Sequence, residues 1–152
     1  MEIREDDLTG LEIAALLQAH LALMRSTSPE ESAHALDIEG LRQPNITFWS
    51  VWDDGQLLGC GALKELDPMH GEIKSMHTTA ACRGRGIAGK LLRHILDVAM
   101  SRGYRRVSLE TGSTDHFLPA RSLYAKHGFV TTGPFAGYGP DPHSAFMTLQ
   151  LP

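Results

Sequence analysis

The chain has 152 residues and a formal net charge of −4, and 42% of its residues are hydrophobic. This length suits one globular domain, and the hydrophobic fraction is too high for an intrinsically disordered chain. The acidic balance argues against a general nucleic-acid or anionic-membrane binder, which would carry a basic excess.

The cysteines, the histidines and the N-terminal residues bear on the compartment and on metal binding. Cys60 and Cys82 lack the C-x-x-C spacing of zinc ribbons and redox motifs, so we expect free thiols in a reducing environment. The eight histidines stand at no metal-ligand spacing, and we expect no metal. The first seven residues are acidic, unlike a signal peptide, and charges or prolines interrupt every long apolar run. We therefore expect a cytoplasmic protein without a membrane or nucleic-acid partner.

The first half of the chain predicts a strand, two helices and a hairpin. Apolar residues recur at three- and four-residue steps in the first helix, and Asp54-Gly55 is a strong hairpin turn. Pro29 suits the first position of the second helix. The predicted elements are a strand at 2–4, a helix at 10–25, a helix within 29–41, and strands at 47–52 and 57–63.

The second half alternates strands and helices. Gly103 and Gly128 are placed to end two helices. The predicted elements are a strand at 72–78, a loop at 79–85, a helix at 86–102, a strand at 107–111, a helix at 119–127 and a strand at 145–151. The order predicts a mixed α/β fold in a single domain over residues 1–152.

The glycine-rich segment 83–90 carries the clearest chemical signal. It lies between a predicted strand and a long helix, where free N–H groups and the helix dipole favour a phosphate. Its glycines allow close backbone approach to an anion. Arg83, Arg85 and Lys90 add positive charge in a net-acidic protein. A solvated turn with incidental charges is the alternative interpretation.

Two nucleotide-binding patterns fit the segment poorly. Gly84-x-Gly86-x-x-Gly89 satisfies the dinucleotide fingerprint, with Glu110 at the acidic position, but the predicted strand ends near Thr78 instead of at the first glycine. The G-x-x-x-x-G-K pattern of P-loop proteins is also met. It continues with a leucine where a Ser or Thr should hold magnesium.

A third pattern resembles the GNAT superfamily of N-acetyltransferases. Arg83-x-x-Gly86-x-Ala88 matches its R/Q-x-x-G-x-G/A signature, which binds the pyrophosphate of coenzyme A. The segment 123–129 resembles the family's L-Y-x-x-x-G-F motif. Together with the strands and helix between these motifs, the resemblance covers about residues 70–130. It implies a mostly antiparallel central sheet flanked by helices, with splayed fourth and fifth strands.

The resemblance implies acetyl-CoA as the cofactor and a site for it. Backbone N–H groups of the glycine segment would hold the pyrophosphate, with the basic side chains in support. Splaying would free backbone groups of the fourth strand to bond pantetheine and the acetyl carbonyl. The implied cofactor-binding residues are Met76, His77, Thr78, Arg83, Gly84, Arg85, Gly86, Ile87, Ala88, Gly89 and Lys90.

The resemblance also implies catalytic residues. Tyr124 matches the tyrosine that protonates the departing thiolate, with a helix-packing aromatic as the alternative. Glu72 stands where some members carry a general-base glutamate, with a solvated strand residue as the alternative. Strand alternation turns the His77 side chain away from the face of Met76 and Thr78.

One position departs from the family pattern. Many members have an asparagine seven residues before the tyrosine, which bonds the pantetheine arm, and this chain has Phe117. The polar clamp is therefore absent or relocated to Ser113, Thr114 or Asp115.

The acceptor pocket in this family is built by the first helix-loop-helix and the loop before the last strand. We expect His34, Asp37, Tyr138 and His143 to bind the substrate. The implied activity is direct acetyl transfer from acetyl-CoA to a small-molecule amine in a ternary complex, by a protein that can form a homodimer. The alternatives are a non-catalytic acyl-CoA-binding module and a protein or peptide acetyltransferase.

Overall fold

A seven-stranded sheet with helices on both faces organises the chain in the computed structural model, which describes residues 1–27 and 36–152. The strands are β1 (Glu2–Glu5), β2 (Ile46–Asp53), β3 (Gln56–Asp67), β4 (His70–Thr78), β5 (Arg106–Gly112), β6 (Val130–Thr132) and β7 (Ser144–Gln150). The helices are α1 (Leu11–Thr27), α2 (Ile38–Leu41), α3 (Ile87–Ser101) and α4 (Leu118–Lys126). The sheet order is β1-β2-β3-β4-β5-β7-β6. The predicted α/β class and mostly antiparallel sheet are confirmed, since β4 and β5 form the parallel pair.

Most predicted elements are present, with three differences. The structure adds β6, a three-residue strand that was not predicted. It extends β3 to Asp67, beyond the predicted end at residue 63. The second predicted helix, within 29–41, is represented by α2; residues 28–35 lie outside the described residues. The short α2 begins at Asp37, whose carboxylate accepts a hydrogen bond from the Gly40 N–H at 2.9 Å.

The sheet separates two apolar cores. The larger core lies between the sheet and α3, whose buried face is formed by Leu91, Leu92, Ile95 and Ala99. The smaller core lies on the opposite side, where α1 packs Ile13 and Leu17 against Cys60 and Ala62 of β3. The spacing predicted for α3 is the spacing of its buried face. In α1 the predicted apolar stripe starts at Leu11, which is 86% exposed, and the buried face is formed instead by Ile13, Leu16, Leu17 and His20.

The splayed strands are confirmed by the strand pairing. β4 pairs with β5 only from His70 to Ile73, whose partners run from Arg106 to Leu109. Beyond this point the two strands diverge, while β5 remains paired with β7 as far as Gly112. The divergence leaves the second half of β4 without β5 as a neighbour, and its edge faces the opening.

A bulge in β4 changes which side chains face the opening. Ser75 has a left-handed backbone with φ of 56°, and the pairing with β3 shifts by one residue there, so that Cys60 pairs with His77 and Ala62 with Lys74. Glu72, Lys74 and His77 consequently face α1. Met76 faces α3, since a side chain at Gly61 would meet its sulfur and Leu91.

Within residues 1–27 and 36–152, no helix is both long enough and apolar enough to cross a membrane.

Candidate active site

A cavity of about 480 Å³ opens where β4 and β5 diverge. It is bounded by the end of β4, the 79–86 loop, the first turn of α3 and one side of α4. Nine of the eleven residues predicted to bind the cofactor line it: Met76, His77, Thr78, Arg83, Gly84, Gly86, Ile87, Ala88 and Gly89. The other two, Arg85 and Lys90, are exposed and do not line it. Arg85 donates a hydrogen bond to Cys82 Sγ at 3.6 Å, at the edge of the cavity.

The backbone at the mouth of this cavity is arranged to receive an anion. Gly84 and Gly86 have φ of 80° and 77°, a left-handed conformation that glycine adopts without steric cost. The Lys90 N–H is bonded to the Gly86 carbonyl at 3.2 Å, which closes the first helical turn. The N–H groups of residues 87–89 precede that bond and lie in the turn that helices leave unsatisfied. This combination suits a pyrophosphate group.

A second cavity, of about 110 Å³, adjoins the first. The two share a wall made of His20, Met24, Met76, Phe117, Ala120 and Tyr124. The smaller cavity continues between β4 and β5 to Glu72, Lys74, Glu110 and Tyr138. A group bound in one cavity is therefore adjacent to a group bound in the other.

Three side chains of the smaller cavity form a hydrogen-bonded triad. The Tyr138 hydroxyl donates to Glu72 Oε2 at 2.6 Å, and Lys74 Nζ donates to the same oxygen at 3.1 Å. Lys74 Nζ also donates to the Tyr138 hydroxyl at 3.0 Å. Glu72 is only 2% exposed, so its charge is neutralised inside the protein by a single ammonium group. Tyr138 is held in place by ring contacts with Phe135 and Phe146.

Glu110 is the second carboxylate of the smaller cavity. Burial raises its pKa to about 7, although the Ser144 hydroxyl and the charge of Lys74 act in the opposite direction. The charge of Glu72 raises it further. Glu110 therefore exchanges a proton near neutral pH. Burial, together with the Glu72 carboxylate, also raises the pKa of Tyr138, which stays a hydrogen-bond donor.

Tyr124 lies at the shared wall because of how α4 ends. The Phe129 N–H bonds to the Tyr124 carbonyl at 3.1 Å and the Gly128 N–H to the Ala125 carbonyl at 3.0 Å, around a Gly128 with φ of 97°. This is a Schellman ending, and it packs the Phe129 ring on the Tyr124 ring with centroids 5.7 Å apart. The L-Y-x-x-x-G-F motif thus fixes the tyrosine by local geometry. Burial raises the pKa of Tyr124.

Two histidines, the buried His20 and the half-buried His77, also face the cavities. His20 Nδ1 and His77 Nδ1 lie 3.2 Å apart, so one ring carries the proton of that hydrogen bond. Burial lowers the pKa of each to about 4, with a further contribution from the His77 charge on His20 and from Arg83 on His77. Both rings are therefore neutral at pH 7. His77 faces α1, as predicted from the alternation, and reaches the larger cavity from that side.

The remaining predicted residues are placed differently. Phe117 lines both cavities, whereas Ser113, Thr114 and Asp115 are exposed and line neither of them. His116 lines the larger cavity instead.

Of the predicted substrate-binding residues, Tyr138 alone is seen to line a cavity. Asp37 caps α2 and His143 is exposed, and neither lines either of the two cavities, so their contact with the substrate stays a prediction. His34 lies outside the described residues.

Lys74, Glu110 and His20 line the smaller cavity but were not predicted as site residues. Lys74 and Glu110 are charged residues inside predicted strands, and charge in a strand interior was the available signal. His20 falls on the apolar side of a predicted amphipathic helix, which was a weaker signal. In the part of the chain that the structure describes, no three His, Cys, Asp or Glu side chains are grouped to hold a metal.

Comparison with known proteins agrees with this geometry. The sequence profile of the acetyltransferase (GNAT) family matches residues 13–129. The uncharacterized N-acetyltransferase YsnE of Bacillus subtilis is 55% identical over 99% of this chain and 100% of its own. The uncharacterized N-acetyltransferase YedL of Escherichia coli is 52% identical over 98% of this chain and 94% of its own.

Solved structures share the fold. A Bacillus subtilis acetyltransferase in complex with CoA superposes with a TM-score of 0.74 at 17% identity, over 99% of this chain and 98% of its own. Membership of this family establishes acetyl-CoA as the co-substrate. The chain belongs to the GNAT family and is an acetyl-CoA-dependent N-acetyltransferase.

Proposed function

We propose that this enzyme transfers the acetyl group directly to the amine of a small molecule, with acetyl-CoA and acceptor bound together. The observation that carries the proposal is the shared wall: acetyl-CoA would occupy the larger cavity and the acceptor the smaller one, and the two meet at Tyr124. Adjacent binding of two reactants converts a bimolecular reaction into an intramolecular one.

The larger cavity accounts for the cofactor. The pyrophosphate would lie on the N–H groups of residues 86–89, beside the Arg83 side chain. Pantetheine would follow β4, whose edge beyond Ile73 is released from β5 and can bond its amides and the thioester carbonyl. Backbone N–H groups in that position would stabilise the oxyanion that forms during transfer. Phe117 offers an apolar wall where other family members have an amide.

The chemical step needs a proton donor for the thiolate, and Tyr124 is placed to serve. The amine nitrogen attacks the thioester carbonyl, the carbon–sulfur bond breaks, and the phenol donates its proton to the sulfur. Burial raises the pKa of Tyr124, but the same apolar wall also raises the pKa of a thiol beside it. Burial thus acts in the same direction on the proton donor and on the proton acceptor, which limits the effect of the raised Tyr124 pKa on the transfer.

The smaller cavity favours a compact polar acceptor. Its volume of about 110 Å³ is below the roughly 150 Å³ of a cavity that holds benzene. Its lining carries two carboxylates and one ammonium group, which suits a cationic amine. Cys60 and Cys82 are free thiols, in keeping with the reducing cytoplasm that we propose as its compartment.

The test is a screen of small primary amines with acetyl-CoA, following release of the CoA thiol and confirming the acetylated product by mass spectrometry. Product with several compact amines, and initial rates that depend on both substrates without a ping-pong pattern, are expected. Acetylation of lysine-containing peptides with no small amine accepted would overturn the small-molecule proposal. An acetyl-enzyme intermediate would overturn direct transfer.

A further inference from the structure

We propose that Glu110 holds the ammonium group of the acceptor and removes one of its protons, while Glu72 organises the cavity wall. This inference rests on the proposed function and adds a catalytic residue to it. It also restricts the acceptor to a compact primary ammonium ion.

The strand register places Glu110 at the opening. Glu72 pairs with Ser108 and Ile73 with Leu109, so an unbroken ladder would set Lys74 opposite Glu110. The strands diverge at this point, and the smaller cavity lies between the two residues. Glu110 and Lys74 thus face each other across the acceptor cavity, on the side of the sheet opposite to α3.

Glu72 is already engaged by the protein. Its Oε2 accepts hydrogen bonds from both Tyr138 and Lys74, and Lys74 forms its salt bridge with Glu72 at 3.1 Å. To accept a proton at that oxygen, Glu72 would have to give up hydrogen bonds inside a buried site, at a cost in free energy. Glu72, which the family resemblance implies as the base, therefore holds the triad together by accepting both hydrogen bonds.

The charges around Glu110 favour the binding of one cation in the smaller cavity. Lys74 and Glu72 on β4 neutralise each other, so the cavity is negative when Glu110 is ionised. Within residues 1–27 and 36–152, the other titratable groups that face the site are Tyr138 and Asp141 of the β6–β7 loop, Tyr124 of α4 and His20 of α1. Of these, Asp141 adds negative charge, and the rest are neutral at pH 7 because burial holds the pKa of both tyrosines high and that of His20 at about 4.

With Glu110 as the base, every proton released in the transfer has an acceptor. The ammonium ion loses one proton to Glu110, which frees the nitrogen lone pair to attack the thioester carbonyl. The carbon–sulfur bond breaks as Tyr124 gives its proton to the thiolate, and Tyr124 regains a proton from the nitrogen of the tetrahedral intermediate. Glu110 returns its proton to solvent. A carboxyl group that exchanges protons near neutral pH is suited to this part.

The experiment follows the Glu110 carboxyl by NMR in CoA-saturated protein labelled with carbon-13 in glutamate side chains. Glu110→Gln assigns the resonance. Ethylammonium is the probe, at about 0.1 M against sodium and tetramethylammonium chlorides of equal ionic strength, so that screening is the same. Ethylammonium alone is expected to lower the titration midpoint of Glu110 by about one pH unit, a ten-fold preference for the ionised carboxylate.

Each outcome decides the proposal. A midpoint that ethylammonium leaves unmoved would overturn it. Glu72→Gln leaves the Lys74 ammonium group without its anionic partner and should weaken the response, and an undiminished response there would overturn the role given to Glu72. Tyr138→Phe, which removes one donor to Glu72 but keeps the ring, is a milder second variant and should preserve the response. Glu12→Gln removes an exposed carboxylate outside both cavities and is the matched control. Because no turnover is measured, a failed amine screen and a failed Glu110 response are distinguishable.

Discussion

At the scale of single residues, Tyr124 has a structural role and a proposed chemical one. Its ring belongs to the larger core and its side chain lines both cavities. Its carbonyl closes α4 against Phe129, so the position of the hydroxyl depends on a helix ending and not on a mobile loop. The ring and the hydroxyl can therefore be tested separately.

Tyr124→Phe keeps the ring and removes the proton donor. We expect kcat to fall by about 10²- to 10⁴-fold, the usual range for loss of a general acid, while the Kd for acetyl-CoA stays within about two-fold. Thiol release with an amine identified by the screen gives kcat, and calorimetry gives Kd. Wild-type kcat in the variant would remove the proposed acid role.

The sequence located Tyr124 and not Glu110, for a physical reason. Tyr124 lies in a motif whose glycine and aromatic residues act within one turn of chain, so local pattern is enough. Glu110 acquires its role from Lys74, which is distant in sequence and faces it only through strand register and divergence. Pairing across a sheet is not encoded in the local spacing of either strand.

At the scale of elements, the loop before α3 and the β5–α4 connection shape the cavities. The first presents glycines with left-handed backbone where an anion would lie. In the second, Gly112 allows the Phe117 ring to pack against the chain, since a Cβ there would lie 1.9 Å from the ring. The bulge at Ser75 was not predictable, because serine is not among the residues that favour a left-handed backbone.

Gly86→Glu places a carboxylate at the proposed pyrophosphate site. We expect acetyl-CoA affinity to fall at least ten-fold, because like charges would repel in a partly enclosed cavity. Gly86→Ala separates the backbone strain at φ of 77° from the charge. Gly133→Glu adds the same charge outside both cavities and should bind normally. Calorimetry measures all three, and unchanged binding by Gly86→Glu would refute the loop assignment.

Gly112→Ala should destabilise the fold by displacing Phe117. The ring has to move or the backbone has to shift, and overpacking of this kind costs about 1 to 3 kcal/mol. Urea denaturation measures the loss. Combining the change with Phe117→Ala removes the clash, so the double variant should be less destabilised than the sum of the two single variants. Additive losses would contradict the contact.

At the scale of the whole molecule, the His20–His77 pair links folding to pH. Burial lowers the pKa of His20 from 6.5 to about 4, so the unfolded chain binds more protons than the folded one between these values. Stability from this source is fully present above pH 6.5 and is lost as the pH falls towards 4. Glu110 acts in the opposite sense, since its raised pKa disfavours the folded state as the pH rises from 4.5 to about 7.

His20→Gln should therefore flatten the acid side of the stability curve. Comparing urea denaturation of wild type and variant cancels the contribution of Glu110. We expect the difference in unfolding free energy to shrink by up to about 3 kcal/mol between pH 6.5 and 4. His143→Gln, at an exposed position, should run parallel to the wild type. If His20→Gln runs parallel too, the His20–His77 pair does not control acid stability.

The divergence of β4 from β5 has a consequence for how the acceptor preference can change. The smaller cavity is lined from two parts of the chain: residues 2–78 supply Glu72 and Lys74, and residues 106–150 supply Glu110, Tyr124 and Tyr138. Within the sheet, the two parts are joined by the four residue pairs between β4 and β5. The acceptor cavity is thus a wedge with its apex at Ile73 and Leu109, both buried beneath α3. A change of side-chain volume at the apex would alter the wedge angle and the gap between the two carboxylates. Acceptor size can therefore be tuned from Leu109, a core residue that does not line the smaller cavity.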